Sequence, residues 1–363
     1  MMGSEASGKM TAYMSDKLRI LSFISIVLVI YIHTYYSEGA SMSGLNIIET
    51  FWGKGVCLVA VPLFFVISGY LFYLHCSNGI HSIWPKMLKR VRTLLVPYLI
   101  MNTLAILFYV ILNLLVDNIP FLGSVVNFRI LNDIHQESWY QILINFYWLN
   151  PVAFQLWFIR DLIVVIVFTP VIYLILRQAV RNVYGIVGFL ILEILLIYLS
   201  SYIHYFSAAF WFIAGGFIAM HPSVKPSYKT QTSWKVLILI LIALAIIIWN
   251  TITQHYIFKW IIPFVGICAL WFGFDILCQK RTNILSSNKK LNFLCAYPFF
   301  VYLIHEPLLN ILKKFPLLFS KSELCLIVAY IVIPPIFYIC GALIGKRLKH
   351  ITPRLYNIFT GGR

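Results

Sequence analysis

Several groups of side chains in this sequence carry chemistry that an apolar segment does not need for its own sake. His33 stands near the end of FISIVLVIYIHTYY, and His305 and Glu306 stand together in FFVYLIHEPLL. An imidazole takes up or releases a proton near neutral pH, so these are acid and base candidates. Arg160 and Asp161 adjoin in QLWFIRDL. Lys86, Lys89 and Arg92 recur three apart in WPKMLKRVRTLLVPYL, which lines cations along one stripe of a helix and suits an anionic ligand such as a nucleotide phosphate. Ser68 and Gly69, in VAVPLFFVISGYLFYL, remove bulk where a helix or a ligand can approach the backbone.

Each group also has a plainer reading. His33 can end a helix at the membrane interface among Tyr31, Tyr35 and Tyr36, and Ser68-Gly69 can serve tight packing. Basic residues beside a span can be anchors on the cytoplasmic side. Neighbours on a helix point about 100° apart, so Arg160 and Asp161 are expected to find partners on other helices and not each other. His204 and Glu193 read as structural. His33 lies fourteen residues beyond Arg19, about 21 Å of helix rise, and nearly on the same face. An ionisable side chain at membrane depth costs a few kcal/mol, which makes each one a functional candidate if it faces the protein interior.

The elements that must position these residues follow from composition. Of 363 residues, 61% are hydrophobic and 11% charged, outside the balance of a soluble domain. Apolar runs long enough to cross a hydrocarbon layer of about 30 Å recur along the chain. Segments there must pair their backbone internally, so the fold class is all-α, a polytopic helix bundle. Ten spans are read: 17–36, 51–75, 93–116, 156–176, 182–201, 204–220, 235–252, 257–278, 294–312 and 322–345. A helix is expected to start at Pro85 and to bend at Pro97, and Ser15 or Asp16 to cap the first helix. Residues 117–151 form the one long loop, in which YQILINFYWL lies along the surface or re-enters.

The 28 Lys and Arg residues outnumber the 12 Asp and Glu. Placing the N-terminus inside puts most of these cations at cytoplasmic ends, with both termini cytoplasmic. Spread over short loops, the charge does not form a nucleic-acid surface. The seven cysteines are scattered without close pairs and read as packing residues, not as a metal site or disulfide framework. Residues 1–15 read as a disordered lead, 16–347 as one transmembrane domain and 348–363 as a cytoplasmic tail.

Taken in order, these segments resemble the membrane family called acyltransferase 3, from about Asp16 to Arg347. DKLRILSFISIVLVIYIH is similar to its first helix, VPLFFVISGYLF to its second and KRVRTLLVPYL to the basic entry of its third. VYLIHEPLL is similar to a late helix, and QLWFIRDLIVVIVFTP to a segment common in one subgroup. The resemblance implies transfer of an acyl group, often acetyl, from cytoplasmic acyl-coenzyme A to a hydroxyl of a glycan or lipid-linked saccharide across a bacterial-type inner membrane. It implies that His33 is the catalytic base, with Arg19 as its basic partner on the first helix. His305, Glu306, Arg160 and Asp161 are then candidates to orient the imidazole or stabilise the oxyanion. Lys89 and Arg92, with Lys86 and the Ser68-Gly69 backbone nearby, become the coenzyme-binding candidates. Thirteen residues separate Arg19 from His33 where the family has ten, and Lys89 replaces one of two arginines. The rival classes are a transporter or flippase exporting a glycan or small solute, and a binding or sensing module.

Overall fold

The computed structural model describes residues 10–37, 43–74, 76, 79–116, 130, 138–221, 233–253, 260–278 and 283–362. Most of the polar N-terminal lead and most of the loop 117–137 lie outside the described residues. Among those described, regular structure is helical without a strand, as an apolar chain that must satisfy its own backbone requires.

In chain order the principal helices are α1 (Ala12–His33), α2 (Ser43–Trp52), α3 (Ala60–Tyr73), α4 (Ile80–Val116), α5 (Trp139–Ile144), α6 (Trp157–Val167) and α7 (Thr169–Ala179). They continue with α8 (Val183–Leu199), α9 (Tyr205–Met220), α10 (Ser233–Thr253), α11 (Ile261–Cys278), α12 (Pro298–Leu312), α13 (Glu323–Ile351) and α14 (Pro353–Thr360). Among the described residues, five stretches are long and apolar enough to cross a membrane: 44–73, 80–116, 234–253, 261–278 and 323–351. A sixth arises if 139–149 and 154–167, bent by 69°, count as one span, and α8 and α9 are shorter apolar helices. Helix α1 falls outside that set because every 18-residue stretch of it contains Asp16, Lys17 and Arg19. Large apolar side chains on α8 and α10, among them Ile191, Ile194, Leu237 and Leu241, are exposed as lipid-facing surfaces are.

Three local expectations change, and a fourth gains its local structure. Helix α1 begins at Ala12, and Thr11 is the capping side chain, its Oγ1 accepting from the Met14 amide at 3.2 Å. Asp16 instead accepts from the amide of Leu285. Helix α4 starts at Ile80, after Gly79 at φ 77°, and runs on through Pro85 and Pro97. The span expected at 156–176 breaks at Phe168 into α6 and α7, because Pro170 lacks the amide that would continue the ladder and favours a helix start. YQILINFYWL forms α5 and a π-helical turn over Asn145–Leu149, the first arm of the bent pair.

The chain divides into two compact units. The first comprises 1–25, 58–88 and 164–296. Its centre is α3 packed on α9 through glycines: a methyl group at Gly69 would collide with the Phe212 carbonyl, and one at Gly215 with the backbone of Val66. Beside them Lys17 donates to both carboxylate oxygens of Asp275 at 2.8 Å, 4.2 Å over the Trp271 ring, while Tyr13 donates to the same carboxylate.

The second unit comprises 26–57, 89–163 and 297–363. The buried Glu49 carboxylate accepts from the amides of Tyr36 and Ser37 at 2.9 and 3.1 Å, fixing the chain just beyond His33. Asn102 donates to the Phe146 carbonyl and accepts from the Ala153 amide, tying both arms of the bent pair to α4. Glu323 accepts from the Leu45 amide, and Gly341 and Gly345 let α13 approach Val301 and Phe300 on α12.

Candidate active site

The second unit brings His33 at the end of α1 next to His305 within α12, with ring centroids 5.3 Å apart. Their separation in sequence is bridged by a break in α12. Pro307 has no amide to offer, Glu306 leaves helical geometry (φ −108°, ψ 136°), and the Leu303 carbonyl loses its intrahelical donor. The Gln155 side chain supplies the replacement, donating to Leu303 O at 3.0 Å and Glu306 O at 2.9 Å. Tyr302 returns a hydrogen bond to the Gln155 carbonyl at 2.5 Å, so the two segments lock together.

His305 is fully buried, and its Nδ1 stands 2.6 Å from the Tyr302 carbonyl. A carbonyl only accepts, so Nδ1 carries the hydrogen and Nε2 keeps a lone pair. That Nε2 has no hydrogen-bond partner among the described residues. His33 is half-buried, packs edge-on against Phe154 at 5.9 Å, and has its carbonyl held by the Lys313 amine at 3.1 Å. Beyond the end of α12, burial and the neighbouring Lys313 charge hold the Lys314 amine below its ordinary value.

A cavity of about 590 Å³, within the size range of small-ligand sites, is lined by neither histidine, but by Phe154 and Lys313, which touch His33, and by Glu306, the neighbour of His305. Phe154, Glu306 and Lys313 line it, together with Tyr109 and the amides of Asn145, Asn150 and Asn310. Its lining offers one carboxyl group, one ammonium and a set of neutral groups suited to hydroxyls.

The other candidates are engaged as follows. Arg160 and Asp161 do pair with each other, Nε to Oδ1 at 3.1 Å, contrary to the expectation from their helical directions. Those directions describe Cβ, and the arginine side chain is long enough to fold back. Its Nη1 also donates to the carbonyls of Trp148 and Leu149, capping the π-helical turn. Arg19, near the opposite end of α1 from His33, donates to Asn292 at 2.9 Å. Lys86 donates to the Phe72 carbonyl and reaches Cys76 Sγ at 3.7 Å, so it serves the end of α3. Gly69 is filled by its contact with α9, which makes it a packing residue, and Ser68 beside it is half-buried. Lys89 and Arg92 are exposed on α4. Glu193 lies buried in α8, without a hydrogen-bond partner for either oxygen among the described residues.

Sequence reasoning missed Gln155, Phe154 and Lys313 as parts of this site. Lys313 had a signal, since it is one of few basic residues on the side of the chain where the charge count leaves cations scarce, eight residues beyond His305. Gln155 had none, because its role exists only through Pro307.

No curated protein and no solved structure matches this chain. The model of the acyltransferase domain family matches residues 16–345, nearly the whole length. With its several apolar helices, the chain is therefore a multi-pass membrane protein, and it belongs to the acyltransferase 3 family of acyltransferases.

Proposed function

We propose that this protein is an O-acyltransferase of a cell inner membrane that takes an acyl group, acetyl by preference, from cytoplasmic acyl-coenzyme A. It delivers that group to a hydroxyl of an extracytoplasmic glycan or lipid-linked saccharide. The reading includes ten spans and both termini in the cytoplasm. The observation that supports it is the approach of His33 and His305 to 5.3 Å, with Phe154 and Lys313, which contact His33, lining a cavity that also carries amides and a carboxyl group.

In this reading the acceptor hydroxyl occupies the cavity and His33 takes its proton as the oxygen attacks the thioester carbonyl carbon. A C–O bond forms and the carbonyl electrons move onto oxygen. The tetrahedral adduct then collapses, the C–S bond breaks, and the proton held by His33 goes to the departing thiolate. Lys313, the ammonium lining the cavity, is placed to offset the oxyanion. Lys89 and Arg92, exposed and three residues apart on α4, hold the phosphates of the coenzyme.

The direct test is His33→Ala in purified, membrane-reconstituted protein, following thiol release from acetyl-coenzyme A in the presence of an envelope glycan. Loss of a general base is expected to slow turnover about 10²- to 10⁴-fold. Undiminished release by the variant overturns the assignment.

A further inference from the structure

We infer that His305 is a positioning residue whose bare Nε2, unpartnered in this structure, accepts a hydrogen bond from His33 once the two rings, 5.3 Å apart between centroids, turn toward each other, so that the outward nitrogen of His33 is the one left unprotonated. The inference rests on the acyl-transfer reading for its consequence, and on the proximity of the two rings for the contact.

Three observations carry it. The Tyr302 carbonyl at 2.6 Å fixes the hydrogen of His305 on Nδ1. The remaining Nε2 is an acceptor in a side chain with no exposed surface and no partner among the described residues, a costly state for a polar atom. The ring of His33 lies beside that of His305, with centroids 5.3 Å apart. A ring that donates through one nitrogen presents a lone pair at the other, which is the form a general base needs. Fixing the tautomer of a base through its second nitrogen is the task a buried carboxylate performs in a hydrolytic triad. Here a neutral imidazole does it. Its own orientation is set one step further out, by the backbone of the broken helix α12.

The neighbouring charges do not compete for that role. Lys313 is a donor already directed at the His33 carbonyl, and Glu306 faces the cavity beside it. Arg160 and Asp161 are engaged with each other.

The test compares His305→Leu with His305→Gln in the full-length protein, because a glutamine amide oxygen can stand near the place of Nε2 and leucine offers no acceptor. In the acyl-transfer assay, His305→Leu is expected to lower kcat about tenfold or more with the KM for acetyl-coenzyme A unchanged, and His305→Gln to recover most of the loss. Equal activity of the leucine variant and the parent overturns the inference, as does a glutamine variant no better than leucine. Independently of activity, ¹⁵N-histidine spectra of the parent should include a hydrogen-bonded, unprotonated Nε2 that disappears in His305→Gln and shifts in His33→Phe. An Nε2 resonance indifferent to His33→Phe also overturns it. If the parent protein transfers no acyl group at all, the enzymatic reading fails, and the spectra alone decide the histidine contact.

Discussion

Lys17 and Asp275, 258 residues apart, form a buried ion pair in which the ammonium reaches both carboxylate oxygens at 2.8 Å while lying over Trp271. Two charges withdrawn from water are tolerable only together. Lys17→Met alone should therefore cost about 3–5 kcal/mol by stranding the carboxylate. The double variant Lys17→Met with Asp275→Leu should recover a large part of it. Thermal unfolding in detergent measures both, and additive losses in the double variant would contradict the coupling.

Glu49 gives a second prediction. Its carboxylate is the acceptor for the Tyr36 and Ser37 amides, three and four residues past His33. Glu49→Ala should leave both amides without an acceptor, costing about 1–3 kcal/mol, and should release the end of α1. The expected result is faster hydrogen exchange at those two amides with reduced acyl transfer, and a milder effect in Glu49→Gln. Unchanged exchange would show that the segment is held by something else.

For glycine, position and not residue type decides the outcome. Gly69→Ala places a methyl group against the Phe212 carbonyl, whereas a methyl at Gly188 meets nothing within 4 Å. The first should destabilise by about 1–3 kcal/mol through overpacking, and the second should be neutral or slightly stabilising because alanine favours helix. Parallel melting curves of the two variants settle the matter.

The coenzyme grip predicts a salt signature. Lys89→Ala with Arg92→Ala should raise the KM for acetyl-coenzyme A most at low ionic strength and flatten its dependence on salt, since exposed charges are screened as salt rises. Parent and variant with parallel salt curves would remove these residues from the coenzyme site.

How much of this was legible depended on whether a feature was local. Helical content follows from apolar runs, and the interruption near Glu306 follows from Pro307. The juxtaposition of His33 with His305 was within reach because both end apolar runs at comparable depth. The Arg160–Asp161 contact was misjudged because helix periodicity fixes Cβ directions and says little about the tip of a long side chain. Lys17 passed unnoticed beside Arg19: nothing along the chain distinguishes a lysine that pairs with Asp275 from one that faces water. The cap at Thr11 was overlooked because the polar residues preceding the apolar run are themselves helical.

The missing donor at Pro307 has an implication for how this protein can vary. Gln155 gives Leu303 the donor that residue 307 lacks, and also donates to the Glu306 carbonyl. A chain that regained an ordinary residue at 307 would no longer need an amide at 155 for Leu303, and a chain that lost the amide first would be left with an orphaned carbonyl in a dry interior. Replacement in any engineered lineage should therefore run through 307 before 155.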